Sequence, residues 1–306
     1  MIEVQSLSKQ YGNVRAVDDL TFTVKPGLVT GFLGPNGSGK STTMRMILGL
    51  DNPTSGTATI DGREYRSIKK PLHEVGSLID AKAVHPNRSA YNHLKWMAQA
   101  NSIPVSRVKE VLELVGLDSV AKKKAGGFSL GMGQRLGLAG AILGDPKVVI
   151  LDEPVNGLDP EGIRWVRDFM RRLADQGRTV LVSSHLLSEM SNTADELIVI
   201  GRGKLITASS TYDFIKNYAA TSVVVRTEHI DAFEQALLDN NLKVRREYDE
   251  ENRDQLIIPD KDTDEIGALA FTYNIPLSLL SQRRASLEDA FMEITGDTVQ
   301  YHAKGE

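Results

Sequence analysis

Nine consecutive residues, Gly34-Pro35-Asn36-Gly37-Ser38-Gly39-Lys40-Ser41-Thr42, restrict what this chain can fold into more than any other segment. They match G-x-x-x-x-G-K-[ST], a loop that cradles phosphate groups when a strand precedes it and a helix follows. Both flanks qualify: Leu28 to Leu33 reads as a short buried strand, and Ser41 to Leu50 as a helix with Met44, Ile47 and Leu48 on one face. Glycines let the backbone curl until successive N–H groups point inward at phosphate oxygens, and the helix N-terminus adds partial positive charge behind them. Lys40 is then placed to reach the β- and γ-phosphates of a nucleotide, and the Ser41 hydroxyl to hold Mg²⁺. The plain alternative, a chance glycine-rich turn, is disfavoured by the correct placement of strand and helix.

The rest of the chain narrows the setting. Its 306 residues suffice for one large or two modest domains, and 41% hydrophobic with 25% charged residues is the composition of an ordinary soluble globular protein. A net charge of −4 gives no pull toward nucleic acid, and none is expected as a partner. The absence of cysteine excludes disulfides and Cys-ligated metals and fits a cytosolic protein. No stretch approaches the about 20 apolar residues of a membrane span, and Met1 to Gln5 lacks the charged and apolar regions of a signal peptide. Any membrane spans are expected on another chain.

A second element that fits the phosphate loop lies far downstream at Val148-Val149-Ile150-Leu151-Asp152-Glu153-Pro154. An apolar run ending in two acids describes a central buried strand whose tip meets a metal. Asp152 fits as the Mg²⁺ partner through a water, and Glu153 is placed to polarise an attacking water. A strand ending in a solvated acidic turn is the alternative, and the phosphate loop upstream argues against it.

Between them lies Phe128-Ser129-Leu130-Gly131-Met132-Gly133-Gln134-Arg135-Leu136, a Ser at an N-cap position with glycines beside it and a helix after it. This segment resembles the signature motif of the ATP-binding cassette (ABC) ATPases, and other elements of that family follow in order. Asn156-Gly157-Leu158-Asp159 resembles the D-loop, with Asp159 at its end, and Val182-Ser183-Ser184-His185 the strand ending in the switch histidine. Tyr11 in Lys9-Gln10-Tyr11-Gly12 resembles the aromatic that stacks on adenine. A plain strand aromatic and a satisfied core histidine are the alternatives for Tyr11 and His185. His73, His85, His93, His229 and His302 read as structural or exposed, and Lys122-Lys123-Lys124 as a solvated face.

The resemblance covers roughly residues 1–210 and implies a P-loop NTPase of the α/β class, a RecA-like core with antiparallel β and helical subdomains, the helical part at about 81–145. Two departures stand out. Leu130 and Met132 occupy positions where the common signature has glycine and glutamine, a variant similar to the drug- and antibiotic-exporting branch; Leu130 must find apolar cover. Asp80, after Val75-Gly76-Ser77-Leu78-Ile79, stands where the Q-loop has glutamine. A shorter, anionic side chain there is expected to contact the metal or its water shell in the closed state only.

The resemblance further implies ATP and Mg²⁺ as ligands. It implies a head-to-tail dimer in which Ser129, Leu130, Gly131 and Met132 complete the partner's site. It also implies a multi-span membrane permease docking near Ala81 to Leu94, which places the chain on the cytoplasmic face of the cell membrane. Trp96 and Met97 are expected to fill the helical subdomain's own core instead. The leading reading is the ATPase subunit of an exporter of drugs, antibiotic peptides or lipids. The runner-up, a non-transport cassette acting on ribosomes or DNA, fits a single cassette without a long coiled coil less well.

Residues 211–306 read as a second, accessory domain. Helix Thr211 to Tyr218 leads into strand Ser222 to Arg226, helix Ile230 to Asn240, strands Leu242 to Tyr248 and Gln255 to Ile258, helix Lys261 to Tyr273 and strand Leu277 to Ser281. That β-α-β-β-α-β order is the α+β ferredoxin-like pattern. Ser286 and Asp289 suggest a capping box on a last helix. No catalytic constellation is visible here, and dimer support or regulation is the expected role.

Overall fold

The computed structural model describes residues 1–81, 83–185, 190–218, 221–249, 251–284 and 291. They divide into a compact unit over Met1–Thr211 and a second that starts at Tyr212.

In the first unit, β1 (Ile2–Tyr11) and β2 (Val14–Val24) pair antiparallel, and β3 (Val29–Leu33) leads into α1 (Lys40–Ile47). β4 (Ser55–Ile60) pairs with β1, giving a three-stranded antiparallel sheet of order β2-β1-β4. There follow α2 (Pro71–Glu74), β5 (Val75–Leu78), α3 (Ala90–Ala100), α4 (Ser106–Leu114), α5 (Leu130–Ala141), β6 (Val148–Asp152), α6 (Pro160–Asp175), β7 (Thr179–Ser184), β8 (Glu196–Gly201) and β9 (Lys204–Ser210). A second sheet runs β5-β6-β7-β3-β8-β9, parallel except for β9. β3 and β7 are buried along their whole length, which is why they read as unbroken apolar or small-residue runs. Phe32, Ile150, Leu181 and Ile198 of this sheet share one core with Leu20, Phe22 and Val24 of the other and with Met44 and Ile47 of α1. The two sheets thereby clamp α1, and the C-terminal ends of β3, β5, β6 and β7 open on one edge. Parallel sheets bind ligands at that edge.

The second unit begins within α7 (Thr211–Tyr218) and holds β10 (Thr221–Arg226), α8 (Ile230–Asp239), β11 (Arg245–Tyr248), β12 (Asp254–Pro259), α9 (Thr263–Thr272) and β13 (Leu279–Arg284). Its antiparallel sheet has the order β11-β12-β10-β13. Val223, Val225, Leu256 and Ile258 pack with Phe233 and Leu237 of α8 and Ile266 and Ala270 of α9. Connectivity and strand order are those of the ferredoxin-like pattern.

Three expectations are corrected. The helix after the phosphate loop ends at Ile47, short of Leu50, because Gly49 takes φ 62° and the Leu50 N–H turns back to the Arg45 carbonyl, closing the helix. β11 begins at Arg245, since Leu242 and Val244 pack on the core from the connection instead of pairing. Trp96 does not fill a core: it is 55% exposed, with the Arg88 guanidinium 4.9 Å from its ring centroid, whereas Met97 lies against α5 near Gly140. The Ser286–Asp289 capping box lies outside the described residues.

Candidate active site

The phosphate loop leaves the buried end of β3 at Leu33 and is held from behind. A Cβ on Gly34 would collide with Ser38 Oγ and lie 2.5 Å from the Ile200 carbonyl, so the first residue of the loop has no room for a side chain. Gly39, at φ 104°, opens α1. The Gly203 N–H donates to the Ser38 carbonyl at 2.9 Å, and Gly203 in turn accepts from the Asp18 N–H at 2.8 Å. Lys40 is only 6% exposed; its Nζ donates to the Gly34 carbonyl at 2.6 Å and lies 4.0 Å from Glu153 Oε1. Burial pulls the Lys40 pKa below its ordinary 10.5, against the opposing pull of Glu153 and Asp152. Ser38 Oγ is buried at the heart of the cradle without a hydrogen-bond partner.

The acids at the end of β6 stand beside this ammonium. Glu153 takes φ 48°, a left-handed backbone that a residue with a Cβ adopts at a cost. Ser183 at the end of β7 steadies the turn: its Oγ accepts from the Glu153 N–H at 2.9 Å and donates to Asp152 Oδ1 at 2.5 Å. His185 Nδ1 meets Glu153 Oε2 at 2.8 Å. Register places these groups together, since Asp152 pairs with Ser183 and Leu33 with Ser184 across β6-β7-β3.

Ser129 N-caps α5, its Oγ accepting from the Met132 N–H at 3.2 Å. Asp159 caps α6 in the same way through the Gly162 N–H at 2.9 Å, with Pro160 at the first helical position. Leu130 is half exposed, and its side chain lies over Gly157. Tyr11 ends β1; its hydroxyl donates to Asp51 Oδ2 at 3.0 Å, Arg45 of α1 pairs with the same carboxylate, and Lys9 Nζ sits 4.8 Å from the ring centroid. Asp80 is exposed just past β5, whose Leu78 pairs with Leu151, so it emerges at the edge that carries Asp152.

These groups are what a magnesium nucleotide requires. A cradle closed to side chains, an orphaned buried hydroxyl and a desolvated ammonium suit phosphate oxygens. A hydroxyl and a carboxylate, Ser41 and Asp152, suit Mg²⁺, which binds through one or two carboxylates and the substrate's phosphates. Among the described residues, no group of three or more His, Asp or Glu side chains forms a metal site by itself.

Known proteins resemble this chain in sequence and in fold. The family described as ABC transporter matches residues 17–156, and a domain family of unknown function matches residues 221–288. Over 97% of its length the chain is 36% identical to an uncharacterized ABC transporter ATP-binding protein of Bacillus subtilis (strain 168), covering 97% of that protein. The chain belongs to the ABC transporter ATP-binding proteins. This ABC ATPase is also 44% identical, over 67% of its length, to the bacitracin transport ATP-binding protein of Bacillus licheniformis, of which it covers 68%. Its cassette shares the fold of a dimeric bacterial ABC transporter cassette, with a TM-score of 0.64 at 22% identity over 69% of this chain and 99% of the other.

Within this ABC ATPase, Lys40, Asp152, Glu153 and His185 form one connected cluster. Sequence reasoning placed Ser183 on the strand but gave it no task, and it passed over Gln134. Gln134, 6% exposed in α5, donates from Nε2 to the Glu153 carbonyl at 3.2 Å and to the Asn156 carbonyl at 3.3 Å. An amide on the inward face of a helix that otherwise buries Leu136, Leu138 and Ala139 is the signal that was available.

Proposed function

We propose that this ABC ATPase drives export of an amphipathic drug, antibiotic peptide or lipid through a separate membrane-spanning subunit. On this reading it works on the cytoplasmic face of the membrane as a head-to-tail dimer. The observation that carries the hydrolytic part is the Lys40–Glu153–His185 cluster at the mouth of the glycine cradle. Gly34, Pro35, Asn36, Gly37, Ser38, Gly39 and Thr42 line the phosphates through the loop, Lys40 neutralises them, and Tyr11 stacks on adenine. Mg²⁺, when bound by Ser41 and Asp152 with Asp80 nearby, supplies charge neutralisation at the phosphate oxygens. Glu153, held by His185 and Ser183, accepts the proton of the water that attacks the γ-phosphorus while the bond to the bridging oxygen breaks. Ser129, Leu130, Gly131 and Met132 complete the partner's site, and Asp159 fixes the turn that lies beside it.

The bacitracin transport relative and the Leu130 variant of the signature support export of a similar cargo class. Among the described residues no helix is long and apolar enough to cross a membrane, so the spans belong to a partner on this reading. We assign residues 1–210 to the cassette, about 81–145 to its helical subdomain, and 211–306 to an accessory domain for dimer support or regulation. The test is affinity isolation of the tagged chain from gently solubilised membranes of its host. A stoichiometric multi-span protein is expected. Ribosomes or DNA without such a protein would replace this reading with that of a non-transport cassette.

A further inference from the structure

The first turns of α5 grip the Glu153–Leu158 turn at successive points along one helix face. Leu130 fills the space above Gly157: a Cβ added there would collide with Leu130 Cδ2 and lie 2.5 Å from its Cγ and 3.2 Å from its Cβ. Gly157 itself takes φ 75°. The next residue, Gly131, approaches so closely that its own Cβ would lie 3.3 Å from the Gly157 carbonyl and 3.3 Å from Leu158 Cδ2. One turn further on, Gln134 donates to the Glu153 and Asn156 carbonyls. Its Oε1 is buried without a partner, so the side chain is held for its donor end alone. The residue it holds is Glu153, whose left-handed φ of 48° needs external support.

We propose that Leu130, Gly157 and Gln134 form a mechanical key that carries nucleotide engagement at this chain's signature helix to its own Glu153. Gly157 and Gln134 are positioning residues for hydrolysis and do not touch the reacting atoms, while Leu130 also belongs to the signature segment. The proposal rests on the head-to-tail dimer, in which Ser129 at the tip of α5 meets the partner's nucleotide. A helix is stiff over a single turn, so displacement at Ser129 moves Leu130 and Gln134 with it. Leu130 in place of the usual signature glycine is tolerated because position 157 has no side chain. The pair is a knob and its hole, and each requires the other.

The test is a double-mutant cycle on the full chain, with kcat, KM, the Hill coefficient, MgATP affinity by a fluorescent nucleotide, and Tm. Gly157→Ala is expected to lower kcat about tenfold or more with MgATP affinity changed less than about twofold. In Leu130→Ala/Gly157→Ala the collisions with Cδ2 and Cγ are gone while the 3.2 Å approach to the Cβ and the φ of 75° remain, so kcat should recover part of what Gly157→Ala loses. Losses that multiply in the double variant would overturn the key. Gln134→Ala adds no volume and serves if Gly157→Ala does not fold; it should lower kcat and bring a Hill coefficient near 2 down toward 1, with affinity retained. Unchanged turnover and cooperativity in Gln134→Ala would also overturn it. A wild-type Hill coefficient of 1, together with a Glu153→Gln chain that stays monomeric with MgATP, would overturn the dimer reading and the transmission with it.

Discussion

Ser183 sits between the two acids of the active site, accepting from one backbone N–H and donating to the neighbouring carboxylate. Ser183→Ala leaves both groups short of a partner in a partly buried place, at a cost of about 1–3 kcal/mol. A lowered Tm by calorimetry and a reduced kcat with unchanged KM are expected, because Glu153 loses its brace; wild-type values of both would refute this role. Asp51 gives a pH prediction. The Arg45 hydrogen bond holds its carboxyl below the ordinary 3.8. Its stabilising contribution is therefore complete above that value and lost as pH falls through the lower folded one. Asp51→Asn should be less stable than wild type in neutral denaturant melts, with the gap closing as the solution is acidified below about pH 4. A gap that persists unchanged in acid would count against the Arg45 pairing. Asp152, Glu153 and Lys40 were legible because each stands in a local pattern with a chemical meaning. Ser183 and Gln134 were not, because their partners lie 19 to 31 positions away.

At the scale of elements, period and punctuation carried most of the fold. The buried strands β3, β6 and β7 read as apolar runs, and the α1, α5 and α6 boundaries follow from glycine, serine, aspartate and proline at their ends. The tail's alternation of strand and helix is legible as an element order, and the pairing of its strands as β11-β12-β10-β13 comes from contacts distant in sequence. What failed was the fate of Trp96: a large aromatic on a helix suits a core, yet α3 buries Ala90, Leu94 and Ala98, and position 96 falls on the opposite side. In the second unit, Asp262 caps α9 through the Glu265 N–H at 2.8 Å. Asp262→Ala should cost about 0.5–2 kcal/mol and lower the unfolding temperature of that unit, with ATP turnover unaffected. Loss of turnover would reveal a dependence of the cassette on the tail.

Taken whole, the molecule puts its acid, its ammonium and its histidine on one edge, while Ser129 stands at the start of α5. Glu153→Gln keeps the shape of the site and removes the proton acceptor. It should bind MgATP, hydrolyse it at least about a hundredfold more slowly, and double in mass by light scattering only when MgATP is present. A variant that remains monomeric at saturating MgATP would argue against paired sites. The turn between β8 and β9 has a further use. Its Gly203 N–H is bonded to the Ser38 carbonyl inside the phosphate loop, although it comes from a hairpin far away in sequence. Opening of the loop must release that proton to solvent. Deuterium uptake at this one amide therefore times the loop's breathing in the unlabelled, unmutated chain, and it should slow when nucleotide clamps the cradle shut.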